Sequence, residues 1–353
     1  EGAIKFFLLG VLSASLILYG FSLIYGLTGQ LVFADISAYL LANSLGSSPV
    51  LLLSAILVIS GIGFKISVVP FHSWAPDTYE GAPLPITAYL SVSSKATGFV
   101  ALIVLLTKVF ESSGRSWGVI LAIVAGATMT LGNLVALQQT NPVRLLAYSS
   151  ISQAGFIIAP LAVSGITGNY QDGIFASVTY LIIYAFMNIG AFLSVHLFTN
   201  FTKSDNFYEW GGIAKHSPLT GVLTTVFFFS LAGIPPLGGW FAKFVVFRSL
   251  LSTGEIIGIS LAIVGAINAV IALVYYARIS KVIWMDELKN PEEEKSFEFQ
   301  SPLKVVGALT VLITFVAGIF PGIFSYLGEA VSYTHLRAHE TVLDLVCRLL
   351  LEK

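Results

Sequence analysis

Apolar residues in this chain run in long blocks separated by short polar connectors; they neither alternate nor keep to one helical stripe. Nine blocks can be drawn, roughly 3–26, 50–76, 83–109, 116–139, 144–165, 172–200, 217–252, 256–284 and 302–328. Each reaches the roughly 20 residues needed to cross the hydrocarbon of a bilayer. Lipid offers backbone amides no partner, so each block is predicted to be helical. The pattern therefore predicts an all-α, polytopic membrane helix bundle with about nine transmembrane helices.

Two blocks are interrupted. The segment 217–252 is too long for one straight span and carries Gly233-Ile234-Pro235-Pro236-Leu237-Gly238-Gly239 at its middle. Two prolines remove two backbone donors there, and a broken helix is expected. The segment 50–76 has a related interruption at Pro70. Broken helices persist at membrane depth only where protein or a water-filled cavity surrounds them, and in transporters they mark ion pathways.

Composition agrees with the pattern: 56% of the 353 residues are hydrophobic and 10% are charged, against about 25% charged in soluble domains. The single cysteine, Cys347, excludes a Cys-ligated iron–sulfur cluster or a disulfide within the chain. No glycine-rich phosphate loop follows a strand-like run, so no nucleotide site is expected, nor any cofactor or metal in this chain. The expected surroundings are the lipid bilayer and membrane partners, not nucleic acid. Residue 1 is not Met and the first block lacks a small-residue cleavage site, so a signal peptide is not expected.

Charge in the connectors sets an expected orientation. With nine crossings, Lys5, Arg144, Lys203, Lys215, Arg278, Lys281, Lys289, Lys295 and Lys304 fall on one side, and Lys108, Arg115 and Arg248 on the other. The excess of positive charge places the first side, and the chain start, in the cytoplasm, and residues 27–49 outside. The polar loop around 285–301, with Glu292-Glu293-Glu294, reads as a solvated connector. Residues 332–353 are far richer in ionisable groups than the rest, follow a helix expected to end near Leu327, and resemble translated adapter sequence. Two regions are thus expected: 1–331, a membrane domain, and 332–353, a foreign tail.

The chemistry rests on three lysines inside the blocks: Lys65, Lys95 and Lys243. A lysine at the bilayer centre costs at least about 2.5–3.5 kcal/mol, so it must face the bundle interior, meet a partner or line a wet cavity. Burial disfavours the charged form, which suits a site that loads and unloads protons. Lys65 precedes the Pro70 break, Lys243 follows the Pro235-Pro236 break, and Lys95 lies beside Ser93 and Ser94. A snorkelling or purely structural role is the competing reading for any one of them. His72, just after Pro70, is either a relay or a cap of the broken helix. His196 reads as a packing or interfacial histidine. Ser149, Ser150, Ser152 and Gln153 could hold water, but serines also glue membrane helices together, and that plainer reading is taken. Asp77 and Glu80 lie at a helix end where loop contacts are expected.

The run Gly63-Phe64-Lys65-Ile66-Ser67-Val68-Val69-Pro70-Phe71-His72-Ser73-Trp74-Ala75-Pro76-Asp77-Thr78-Tyr79-Glu80-Gly81-Ala82-Pro83 closely resembles the signature of the antiporter-like subunits of NADH:quinone oxidoreductase. Its PFHxWxPDxYxGAP form is similar to the branch called subunit N in bacteria and subunit 2 in organelles. Arg144–Ser152 and Leu231–Phe244 add further matches, and the resemblance covers residues 1 to about 331. It implies a fold with two inverted five-helix repeats, of which this chain resembles family helices six to fourteen, hence a partial inverted repeat. The first five helices, with a glutamate used by the family, are expected to precede residue 1, making the chain an N-terminally truncated fragment. The resemblance further implies proton translocation through Lys65, Lys95 and Lys243, driven by quinone reduction elsewhere in the complex, with no redox centre here. It implies other membrane subunits of complex I as partners and a bacterial or archaeal inner membrane as location. Val143 departs from the family, which often has a basic residue before the arginine. The alternatives are a large subunit of a multisubunit Na+/H+ antiporter, against which the YxGAP run argues, and a membrane scaffold without transport.

Overall fold

The computed structural model describes residues 1–287 and 301–332, without the side chains of 301 and 302. The tail beyond Ser332 and nearly all of the 285–301 connector lie outside these residues. Among the described residues every regular element is helical. The chain starts with α1 (Gly2–Thr28), a short α2 (Phe33–Ala42) and α3 (Pro49–Ile66). Next come α4 (Trp74–Gly81), α5 (Leu84–Tyr89), a π turn over Leu90–Ser94, and α6 (Lys95–Lys108), which together with α5 forms one span. Then follow α7 (Gly114–Ala136), α8 (Pro142–Thr167), α9 (Tyr170–Thr202), α10 (Ile213–His216), α11 (Pro218–Ala232), α12 (Gly238–Ser252) and α13 (Ile256–Met285). The last are α14 (Ser301–Ile319) and α15 (Pro321–Ser332).

Seven of these helices are long and apolar enough to cross a membrane, or eight if α14 and α15 form one bent span. The expected block 217–252 is divided as predicted into α11 and α12. The block 302–328 differs: it bends by 91° between α14 and α15. Pro321 explains the bend, since it cannot donate to the preceding turn, and the residue before a proline is driven out of the helical region. The second half runs on to Ser332 rather than ending near Leu327.

Helix α8 is the axis of the bundle, with 94% of its most apolar window buried. It lies against α7 through small residues that admit close backbones. A side chain at Gly132 would strike the Ser152 amide at 2.7 Å, and one at Gly155 would strike the Ala125 carbonyl at 2.8 Å. Large apolar side chains such as Ile123, Leu18 and Ile263 point outward from the peripheral helices α7, α1 and α13, as lipid requires.

Both breaks have one construction. Residues Ser67, Val68 and Pro70 have counterparts 166 positions on at Gly233, Ile234 and Pro236. Ser67 (φ 59°) and Gly233 (φ 96°) terminate their helices in the left-handed region. Val68 N–H then donates to Gly63 O, and Ile234 N–H to Phe229 O, each at 3.0 Å. These bonds close the helix ends in the manner of a Schellman motif. The Val69–Pro70 and Pro235–Pro236 bonds are both cis. The two parent helices run in opposite directions, so the breaks are related by inversion, as a partial inverted repeat demands.

Polar contacts gather at the two ends of the bundle. At one end, Arg144 bonds Asp77 at 2.8 Å and Glu80 at 2.6 Å, Lys5 also bonds Asp77, and Arg278 donates to the Leu137 carbonyl at 2.9 Å. At the other end, Tyr170 donates to the Glu111 carbonyl, and Ser252 reaches Asp172. Asp77 thereby ties α4 to both α1 and α8. The Lys5 ammonium first, and then the Arg144 guanidinium, hold its carboxyl below the usual carboxylate range.

A depressed carboxyl stabilises the fold above its unfolded value near 3.9, and that stabilisation is lost as pH falls through the lower folded value. Replacing Asp77 by Asn is therefore expected to lower stability at pH 7 by about 1–2 kcal/mol. Thermal unfolding of the detergent-solubilised protein should show the deficit, which should shrink below about pH 4. Equal melting of the two proteins at pH 7 would show that the ion cluster carries no load.

Candidate functional site

Two of the three predicted lysines sit deep in the bundle. Lys95, 1% exposed, begins α6 directly after the π turn, the kind of local irregularity that often marks a functional position. Its Nζ donates to the Ser150 carbonyl at 2.9 Å and to the Ser150 hydroxyl at 2.5 Å. Lys243, 5% exposed, lies on the second turn of α12 and folds back over the break. Its Nζ donates to the carbonyls of Ala232 (2.5 Å) and Leu231 (3.2 Å) and lies 5.2 Å from the centre of the Phe156 ring. Those carbonyls are freed because α11 stops at Gly233. They are also the negative end of its dipole, so the break itself supplies the ligands of the ammonium.

Lys65 differs from expectation. It is exposed, on a lateral face of the last turn of α3. Helix α1 covers the neighbouring face of α3, where Ser13 donates to the Gly61 carbonyl. No described element packs over the Lys65 ammonium. Its stem nonetheless rests near Gly98, one turn past Lys95: a Cβ at Gly98 would lie 3.2 Å from the Lys65 Cγ. The Lys65 stem thus lies beside α6, but its ammonium, unlike those of Lys95 and Lys243, is not enclosed. His72 lies in the first link beside the backbone of Pro70, with Nδ1 buried and unpartnered, and is not brought to the lysines. Pro70, Pro235 and Pro236 all lie in the links that interrupt the helices. His196 meets only the Asn200 amide, four residues on, in keeping with a packing or interfacial role.

The residues that join the inner lysines are those given the plainer reading above. Ser149, Ser150 and Gln153 are spaced to share one face of α8, and each is at most 2% exposed. Ser150 holds Lys95. Gln153 donates to the Leu231 carbonyl at 3.2 Å, the same oxygen that Lys243 binds. Ser149 bonds the Tyr276 hydroxyl, and Tyr180 donates to the Gln153 side-chain oxygen. Behind Tyr276, Tyr275 donates to Asn133, which donates in turn to Asn268. The spacing of the three α8 residues was a visible signal. The tyrosines were not visible as site residues, because they sit in apolar runs that read as ordinary span.

Buried polar side chains on one face of α8 therefore lie between Lys95 and Lys243, with Ser150 meeting the first and Gln153 sharing a carbonyl with the second. Residues 1–271 match the protein family described as "NADH:quinone oxidoreductase/Mrp antiporter, TM". The chain belongs to this family. As a member, it is an integral, multi-pass membrane protein. It is 36% identical over 322 residues to the "NADH-quinone oxidoreductase subunit N" of Desulforamulus reducens, covering 91% of this chain and 65% of that protein. The chain thus spans about two thirds of the length of the relatives it matches. Among solved structures it is similar to a chain of respiratory complex I from Thermus thermophilus, with a TM-score of 0.73 and 27% identity over 92% of this chain and 68% of that one. The Mrp complex of Dietzia gives a TM-score of 0.83 at 21% identity, covering 94% and 67% of the two chains, a likeness of fold.

The second break supplies the carbonyls that hold Lys243, and its packing is unforgiving. A Cβ at Gly239 would lie 1.7 Å from the Ser230 carbonyl oxygen. Gly239→Ala should therefore cost more than about 3 kcal/mol or prevent folding, because backbone and not a mobile side chain stands in the way. Yield and melting temperature in detergent read this out. A variant that melts with the parent would contradict the packing.

Proposed function

We propose that this chain is a proton-translocating part of the membrane arm of an NADH:quinone oxidoreductase, corresponding to subunit N. Protons move between Lys95 and Lys243 along α8, with Lys65 continuing the line to the lateral face. Quinone reduction elsewhere in the complex drives them, and the partners are the other membrane subunits. The observation that carries this reading is the polar face of α8. Two ammonium groups in a lipid-embedded bundle are each expensive, yet both are held by backbone carbonyls and joined through Ser149, Ser150 and Gln153. A scaffold has no use for this expense.

The ligands suit reversible loading. Lys95 and Lys243 bond neutral oxygens; among the described residues neither is paired with a carboxylate that would fix the proton. Serine hydroxyls both donate and accept, whereas the Gln153 amide and the Leu231 carbonyl do not exchange a proton. Transfer past Gln153 therefore needs water. Neighbouring protonatable sites repel when both are charged, so loading one favours release from the next. A conformational change at the quinone site could then push charge along the line. The positive connectors on the Lys5 end support a cytoplasmic position for that end and for the chain start.

Lys95→Ala or Lys243→Ala, made in the assembled complex, should lower proton uptake into vesicles at least about tenfold. Assembly on native gels should be retained. Lys65→Ala should also depress uptake, and Lys95→Arg should fail as alanine does, because a guanidinium does not release its proton. Normal pumping in the assembled Lys95 and Lys243 variants would remove the relay and leave the scaffold. Uptake that depends on sodium rather than on quinone reduction would favour the antiporter reading.

A further inference from the structure

The proton line has to meet water, and the short helix α4 supplies a residue for that task. Asp77 and Glu80 sit in the ion cluster at the Lys5 end of the bundle. Tyr79, between them, turns inward and is 0% exposed. Its ring is wedged edge-on against Trp74 and Phe192, at 6.0 and 6.3 Å. Its hydroxyl reaches the neighbourhood of Ser150, the residue that holds Lys95, yet it makes no hydrogen bond of normal geometry. Tyr184 approaches the same serine and donates to the Ser91 carbonyl at 3.4 Å. Asn188 donates to the Ser91 hydroxyl at 2.8 Å, but its own side-chain oxygen is buried and unpartnered.

Among the described residues these two buried atoms lack a protein partner on elements that meet Ser91 and Ser150, and buried hydroxyls and amides are nearly always bonded to protein or to ordered water. An orphan hydroxyl costs about 1–3 kcal/mol if nothing meets it. Phenylalanine would fill the same space without that cost, so the ring alone does not account for the hydroxyl.

We infer that Tyr79 is the inner positioning residue of a proton-access route: its hydroxyl and the Asn188 side-chain oxygen hold water that connects Ser150 and Lys95 to the Asp77–Arg144 end of the bundle. The inference rests on the reading of Lys95 as a proton carrier. No bond to carbon changes; a proton passes between water and the Lys95 amine, with Tyr79 orienting the water. Helix α4 is suited to this role because it follows the first break, presents carboxylates to the aqueous end and faces the phenol to the interior.

Tyr79→Phe in the assembled complex is the test, with Lys95→Ala alongside. The substitution keeps the ring contacts and removes only the hydroxyl, whose approach to protein is the loose one to Ser150. Melting temperature and native-gel assembly are therefore expected to match the parent. Protons pumped per quinone reduced should fall several-fold, with the residual uptake showing an altered pH profile. Asn188→Leu should act in the same direction. If Lys95→Ala abolishes uptake but Tyr79→Phe pumps normally with an unchanged pH profile, the access route is wrong and the relay stands. If Lys95→Ala pumps normally, the relay itself fails. A Tyr79→Phe protein that melts lower and assembles poorly would assign the hydroxyl a structural bond and overturn the inference.

Discussion

A charge in hydrocarbon has to be solvated by something, and in this protein helix α8 does the solvating. Its polar face, Ser149 to Gln153, is turned to the inside of a bundle whose outside is apolar. The rest of the architecture follows from keeping that face enclosed. Helix α7 packs on α8 through glycines and covers one side, α9 covers another, and α13 brings Tyr276 to Ser149. The second break delivers two free carbonyls to Lys243 where an unbroken helix would have offered none.

The two breaks share a construction and differ in what they hold. Each ends a helix in a left-handed residue and a back-bonded turn. After the second, Lys243 folds back onto the carbonyls just freed. After the first, α4 carries its charges outward into the ion cluster and its phenol inward toward Ser150. An inverted repeat thus places an enclosed lysine at one break and, at the other, a short helix with its charges at the end of the bundle and its phenol inside.

Most of the fold was legible in the sequence, because lipid leaves few options: an apolar block becomes a helix, and a Gly-Ile-Pro-Pro run becomes a break. The bend at Pro321 was not read, since one proline near the end of a block resembles an ordinary terminus. Of the site, Lys95 and Lys243 were legible from cost alone. The exposure of Lys65 was not, because an apolar block does not reveal which of its faces a neighbour covers. Nor was the polar face of α8, because serine, glutamine and tyrosine are tolerated in membrane helices for packing as well as for chemistry. Only their meeting across α8, α11 and α13 distinguishes the two uses.

Proton transfer along α8 requires that Lys95 and Lys243 share one hydrated line. A high-resolution structure of the assembled protein in lipid tests it most directly, by locating ordered water. Water hydrogen-bonded to Ser149, Ser150 and Gln153 and joining the two ammonium groups is the expected result. Dry, close-packed side chains between the lysines, with each ammonium closed off in its own pocket, would contradict it.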